Sequence, residues 1–191
     1  MYDCYDGLIF DMDGTIIDTE QAHNQAWRQV LAPLGIQFDQ QAMAAIAVLN
    51  GYPTWRIARA LTERYQINAD PCQLAAEKTA VVQEILLDTI KPLPVVDVVR
   101  TYYGRKAMAI GTGSEHAMAE TLLRHLGLRH YFNAVVGADD VKKHKPEPDT
   151  FLRCAKLINV LPKKCVVFED ADFGIEAARR ANMAFVDVRT L

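Results

Sequence analysis

Asp11 and Asp13 stand one residue apart at the end of the apolar run Leu8-Ile9-Phe10, and Gly14-Thr15 follow them. Three apolar residues in a row, with no polar alternation, suit a strand covered on both faces. The pleat of a strand sends residues i and i+2 to one side, so both carboxylates are expected to point the same way. Like charges this close repel unless something neutralises them, and a divalent cation with oxygen ligands does so. Three further stretches carry residues able to do chemistry. Gly111-Thr112-Gly113-Ser114 offers hydroxyls and backbone N–H groups suited to phosphate oxygens, with a helix dipole behind them. Lys142-Lys143-His144-Lys145-Pro146-Glu147-Pro148-Asp149 is a basic turn held by two prolines. Phe168-Glu169-Asp170-Ala171-Asp172-Phe173-Gly174 is a second acidic loop, placed to open a helix.

The elements that must position these groups follow from the apolar pattern. Buried strands are expected at residues 7–10, 107–110, 134–136, 165–168 and 184–188. Helical stripes separate the later ones: Met118, Leu122 and Leu126 before a stop at Gly127, then Phe151, Leu152, Ala155 and Ile158 after Pro148, then Ile175, Ala178 and Ala181. Strand alternating with helix means an α/β fold with a parallel sheet and right-handed crossovers. Ligands of such sheets gather at the carboxyl ends of the strands, where all four stretches stand. Residues 19–91 break the rhythm. Ala22, Ala26, Trp27, Val30, Leu31 and Leu34 form one stripe closed by Gly35. Asp70-Pro71 reads as a cap and first position of a further helix bearing Leu74, Val81, Ile85 and Leu86. So long a helical stretch is too much for one crossover. It is expected to form a helical subdomain at 19–91, inserted into a core of residues 1–18 and 92–191, and to act as a lid.

A chain of 191 residues suffices for one core and a small appendage. The net charge of −3 gives no support to a nucleic-acid or anionic-membrane partner. No apolar span reaches transmembrane length, and the N-terminus lacks the pattern of a signal peptide. Cys4, Cys72, Cys154 and Cys165 form no CxxC pair, so buried, reduced thiols are expected. A cytoplasmic monomer is the resulting expectation. Gly111-x-Gly113 lacks the third glycine of a dinucleotide fingerprint, and GxxxxGK[ST] is absent.

The four stretches in this order resemble the motifs of the haloacid dehalogenase (HAD) superfamily: DxDGT at the first strand, a Thr or Ser at the second, KPxPD, then an acidic ED loop. The helical insertion after the first motif is similar to that of the beta-phosphoglucomutase-like subgroup. The resemblance covers essentially the whole chain. It implies a Rossmann-like core with an all-helical C1-type cap. Within the subgroup the chain looks most like bacterial sugar phosphatases acting on fructose 1-phosphate or 6-phosphogluconate. The resemblance also implies roles. Asp11 would be the nucleophile that becomes an aspartyl phosphate, and Asp13 the acid and base. Thr112, Gly113 and Ser114 would hold phosphoryl oxygens, and Lys145 would neutralise charge on both partners. Asp11, Asp170 and the backbone carbonyl of Asp13 would hold Mg²⁺, with Glu169 a direct or water-mediated ligand.

In the cap, Thr19, His23 and Trp27 match lining positions, Lys78 matches a lysine that faces substrate, and Gly51, Thr54 and Arg56 fall in a stretch resembling the specificity loop. Two departures stand out. Ala171 replaces the serine of the usual EDS, and Thr54 stands where the mutase has an arginine for a second phosphate. The second departure favours hydrolysis over isomerisation. Lys142 and Lys143 are expected in solvent, His144 in the turn, and Asp172 in solvent or capping its helix. The expected function is a Mg²⁺-dependent phosphatase of a small phosphorylated sugar. A beta-phosphoglucomutase and a non-catalytic sugar-phosphate-binding protein are the alternatives.

Overall fold

The Leu8-Ile9-Phe10 run forms the middle of a five-stranded sheet. The computed structural model describes residues 1–47, 49 and 54–191, except the side chain of Ala47. The chain divides into two compact units, Met1–Asp18 with Lys91–Leu191, and Thr19–Ile90. In chain order the first elements are β1 (Gly7–Phe10), β2 (Ile17–Asp18), α1 (Glu20–Leu31), α2 (Gln40–Ala47), α3 (Thr54–Arg64) and α4 (Pro71–Thr89). Next come β3 (Lys91–Pro92), α5 (Val96–Tyr102), β4 (Ala107–Gly111), α6 (His116–His125) and β5 (Ala134–Val136). The chain ends with α7 (Asp149–Leu157), β6 (Cys165–Glu169), α8 (Asp172–Arg180) and β7 (Ala184–Asp187).

The sheet order is β5-β4-β1-β6-β7, and every pairing in it is parallel. All four residues of β1 are buried, as a central strand with both faces covered requires. On one face Phe10 stacks on Phe168, ring centres 4.6 Å apart, and meets the edge of Phe132 at 6.0 Å. On the other, Ile9, Ala109 and Val167 pack with Phe151, Cys154, Ala177 and Ala178 from α7 and α8. In register, Phe10 lies opposite Ile110 on one side and Phe168 on the other. The strands carrying the first, second and fourth motifs therefore end at one level. A short antiparallel ribbon, β2 with β3, marks where the chain leaves and re-enters this unit.

The helical unit packs Trp27, Val30 and Leu31 of α1 against Ile57, Ala58 and Leu61 of α3 and Leu74 and Ala75 of α4. Asp70 caps α4 by accepting from Cys72 N–H at 2.8 Å, and Pro71 takes the first helical position. No helix among the described residues is long and apolar enough to cross a membrane.

Several side chains depart from the expected stripes. Leu34 is exposed because α1 ends at Leu31 and a 3₁₀ turn containing Pro33 takes over, closed by Gly35 at φ 77°. In α6 the buried residues are Ala119, Leu122 and Leu123, with Met118 and Leu126 at the margin. In α7 Leu152 is exposed and Cys154 is buried, its thiol donating to the Ile110 carbonyl at 3.3 Å. In α4 the buried face carries Leu74, Ala75, Lys78, Val82 and Leu86, and Val81 and Ile85 flank it. The expectation of buried cysteines holds for Cys154 and Cys165 only. Cys4 and Cys72 are exposed, on a terminal turn and a helix start, and all four thiols are free.

Replacing Ile9 by alanine removes three buried side-chain carbons between the middle of the sheet and its helical layer. Ile9→Ala is expected to lower stability by about 3 kcal/mol in urea denaturation, with little change in the m-value.

Candidate active site

Immediately after β1 the backbone continues its pairing for one residue, Asp11 N–H donating to the Phe168 carbonyl at 2.9 Å. It then turns sharply. The Met12 carbonyl accepts from Ile16 and Ile17, and Gly14 N–H donates to the Ile17 carbonyl. Gly14 has φ 83°, and a Cβ there would fall 2.3 Å from Asp170 Oδ2. Only glycine combines that backbone with so close a carboxylate. This turn sets Asp11, buried, beside the last residue of β6, Glu169.

Lys145 reaches both acids. Its Nζ donates to Asp11 Oδ1 at 2.6 Å and to Glu169 Oε2 at 2.8 Å. The side chains of Lys145, Asp11 and Glu169 are 6%, 8% and 1% exposed, so these are buried ion pairs. The ring of Phe151, in the first turn of α7, lies 4.8 Å from the ammonium and supports it from beneath. Asp170 completes the group, accepting from Thr15 Oγ1 at 3.3 Å. Glu169 is held in turn by Ala171 N–H, which donates to Oε1. A Cβ on Gly174 would fall 2.1 Å from Cδ of Glu169, so this glycine is the space the carboxylate occupies.

Three carboxylates around one ammonium leave excess negative charge in a dry place. Burial pushes the Asp11 carboxyl above the ordinary carboxylate range, and Asp13 adds to this while Lys145 opposes it. Glu169 is pushed up by burial and then by Asp11, and Asp170 by the same two causes to about 6. For Lys145 burial disfavours the charge, but Asp11 and Glu169 outweigh it and its pKa rises. Asp11, Glu169 and Asp170 each offer one oxygen, and these oxygens lie within 4.8 Å of one another. The donors are all hard oxygens and carry surplus negative charge. They fit a small divalent cation such as Mg²⁺.

The Asp13 carboxylate is directed elsewhere. Its Oδ2 accepts from Ser114 Oγ at 2.9 Å and from Thr112 Oγ1 at 3.2 Å. Thr112 is buried at the end of β4, where its N–H donates to the Val136 carbonyl. Its hydroxyl also accepts from Ser114 N–H at 3.0 Å. Gly113, between them, is exposed, with open space where a Cβ would be. Thus the side chain of Asp13 lies apart from the three-carboxylate group, and only its backbone carbonyl is left as the expected ligand. Lys142, Lys143 and His144 are exposed. Asp172 opens α8 and pairs with Arg189 at 2.7 Å, its side chain largely in solvent.

In the helical unit His23 and Lys78 come together, Lys78 Nζ lying 2.5 Å from His23 Nδ1. Lys78 also lies 5.6 Å from the ring of Trp27. Burial, then the Lys78 charge, lowers the His23 pKa to about 4, which leaves the imidazole neutral at pH 7. Trp27, expected to line the cap, is 1% exposed and belongs to the helical core, where its large ring fills the space between α1, α3 and α4. Thr19 is buried and its carbonyl accepts from His23 N–H. Thr54 opens α3 half-buried, and Arg56 is exposed. Gly51 lies outside the described residues.

Thr15, Phe151 and Gly174 escaped the sequence reading. Thr15 and Gly174 sit inside the quoted motifs, so adjacency to Asp13 and Asp170 was their available signal. Phe151 reads from the sequence as core, and nothing local signals its further contact with Lys145.

Residues 8–188 match the family described as haloacid dehalogenase-like hydrolase. The chain is 63% identical, over the full length of both proteins, to the fructose-1-phosphate phosphatase YqaB of Escherichia coli K12. It is 30% identical to the phosphorylated carbohydrates phosphatase of Thermotoga maritima, over 93% of this chain and 82% of that one. Among solved structures, the beta-phosphoglucomutase of Clostridium difficile superposes with a TM-score of 0.75 at 29% identity, covering 95% of this chain and 83% of that one. A parallel sheet with Asp11, Thr112 and Asp170 just past its strand ends, and Lys145 brought in by a loop, is here that of a phosphoric monoester hydrolase. The chain belongs to the haloacid dehalogenase-like hydrolase family.

His23 has its ordinary pKa near 6.5 in the unfolded chain and about 4 in the folded one. The unfolded chain therefore binds more protons between these values, and stability from this group, complete above pH 6.5, is lost as pH falls through 4. The raised carboxyls push the other way, so the comparison must be with His23→Gln. Over that window the wild type is expected to lose up to roughly 3 kcal/mol relative to the variant in urea titrations at stepped pH. Parallel pH profiles for the two proteins would refute it.

Proposed function

We propose that the protein is a Mg²⁺-dependent phosphatase of small phosphorylated sugars, with fructose 1-phosphate the first substrate to test. The observation that carries this reading is the buried Lys145 bridging Asp11 and Glu169, with Asp170 alongside and Asp13 on the hydroxyls of Thr112 and Ser114. The similarity to the Escherichia coli fructose-1-phosphate phosphatase supports the substrate class.

Asp11 attacks phosphorus, forming a carboxylate O–P bond as the ester P–O bond breaks. Asp13 gives its proton to the departing sugar oxygen. It then takes a proton from the water that cleaves the aspartyl phosphate, which returns Asp11 and releases inorganic phosphate. Lys145 keeps Asp11 oriented and offsets charge on the transferring group, while Thr112, Gly113 and Ser114 receive its oxygens. Asp11, Asp170 and the Asp13 carbonyl, with Glu169 in support, would hold Mg²⁺, whose positive charge would let a phosphate approach these acids. Residues 19–91 act as the cap, with Thr19, His23, Lys78, Gly51, Thr54 and Arg56 as its candidate sugar-facing groups. Thr54 in place of the mutase arginine favours hydrolysis. The enzyme is taken as a cytoplasmic monomer.

Purified protein with Mg²⁺ is expected to release inorganic phosphate from fructose 1-phosphate, and chelation is expected to stop it. Asp11→Asn should reduce kcat by about 10³-fold or more, since the amide is no nucleophile. Undiminished release by that variant would defeat the mechanism. Conversion of beta-glucose 1-phosphate to glucose 6-phosphate without free phosphate would instead identify a mutase.

A further inference from the structure

Within the Thr112–Ser114 loop one bond, from Ser114 N–H to Thr112 Oγ1, helps hold its shape, and further anchoring comes from outside it. Glu115 precedes α6 but makes no side-chain cap bond to it. The cap comes from the turn after β5: Asp139 Oδ1 accepts from His116 N–H at 2.7 Å. The same turn grips the loop at two more points. Ala138 N–H donates to the Ser114 carbonyl at 2.9 Å. Asp140 Oδ2 lies 2.6 Å from His116 Nδ1 and accepts from Gly137 N–H at 2.8 Å, tying the ring to the start of the turn. The turn can come this near only because Gly137 has no side chain. A Cβ there would fall 2.3 Å from His116 N. One residue earlier, the Val136 carbonyl accepts from Thr112 N–H. Both ends of the loop are thus anchored to one short segment, residues 136–140.

We propose that Gly137, Asp139 and Asp140 are positioning residues for phosphate binding, acting through the Thr112–Ser114 loop. This rests on the reading of that loop as the phosphate cradle. Anchoring the Ser114 carbonyl and the His116 amide orients the peptide groups between them. It also aims the Thr112 and Ser114 hydroxyls at one place, the place where Asp13 Oδ2 now sits. Hydroxyls and N–H groups bind an anion well only when their directions are set beforehand, because a loose loop must be ordered at the anion's expense. Asp139 makes a charge-assisted bond to a backbone donor, a stronger contact than a neutral one. A side chain that merely capped α6 would affect stability and leave phosphate affinity alone.

Calorimetric titration of orthophosphate into the Mg²⁺-loaded protein separates these roles. Asp139→Ala is expected to weaken orthophosphate binding about tenfold and to raise KM for p-nitrophenyl phosphate in parallel, with a smaller change in kcat. Asp139→Asn keeps an oxygen acceptor for His116 N–H and should stay within about twofold of wild type. Gly137→Ala should weaken binding as Asp139→Ala does. A folded Asp139→Ala with wild-type orthophosphate affinity overturns the proposal, whatever its melting temperature. Should Asp139→Ala fail to fold, amide exchange of the wild type decides. The His116 amide is expected to be protected and to slow further with orthophosphate, and exchange at the rate of open chain overturns the proposal. A wild type that binds no orthophosphate defeats the phosphatase reading itself, whereas equal binding by wild type and Asp139→Ala defeats only the positioning role.

Discussion

The Lys145 ammonium between the carboxylates of Asp11 and Glu169 is the interaction on which the site depends. Each of these charges is costly to bury alone, and the cost is met only when they meet at hydrogen-bond distance. That demands three separate chain segments in one place. The register of β1 with β6 does the first part of the work, setting Phe10 beside Phe168 so that Asp11 and Glu169 emerge near one another. The Lys145 turn brings the third segment, and Phe151 at the start of α7 supports its ammonium. Parallel strands make this possible because their carboxyl ends all lie at one rim.

Around that pair the backbone yields space to charge. Gly14 and Gly174 stand where any Cβ would intrude on Asp170 or Glu169. The result is a concentration of acid that one lysine does not balance; burial first, and then the Asp11 charge, raise the pKa values of Glu169 and Asp170. On the proposed function, such a site would attract a cation and, once neutralised, an anionic ester. The absence of a hydroxyl at Ala171 does not disturb it, since the backbone N–H of that residue is what holds Glu169.

The helical unit follows a different economy of polar groups. Lys78 lies on the buried face of α4, in line with Leu74, Val82 and Leu86, and meets His23 and the Trp27 ring. Burial first, and then the Lys78 charge, keep the His23 imidazole neutral, and a neutral imidazole can accept from the ammonium. Trp27 belongs to this arrangement as packing and as an aromatic face for the lysine.

What could be read from the sequence alone was local. Five apolar runs marked the strands of the five-stranded sheet, with ends close to those observed, because a strand buried on both faces admits little else; the expected burial fails only for β7, an edge strand with Phe185 exposed, and the short ribbon β2 with β3 had no such run. Asp11, Thr112, Glu169 and Asp170 stand out in the sequence because each lies at or just past the end of an apolar run, where a charged or hydroxyl side chain has no packing reason to be, whereas Lys145 stands out only as part of a proline-held turn. The tertiary structure decided the partners. Nothing in the local pattern says that Lys145 bonds both Asp11 and Glu169, that the Asp13 carboxylate turns to Ser114 and leaves the other acids, or that Asp139 caps a helix 23 residues earlier. It also decided burial where helical stripes were ambiguous, exposing Leu152 and Leu34 and enclosing Lys78. Periodicity reports which side of an element is apolar, but partners, charge states and the exact turn of a helix depend on segments distant in the chain.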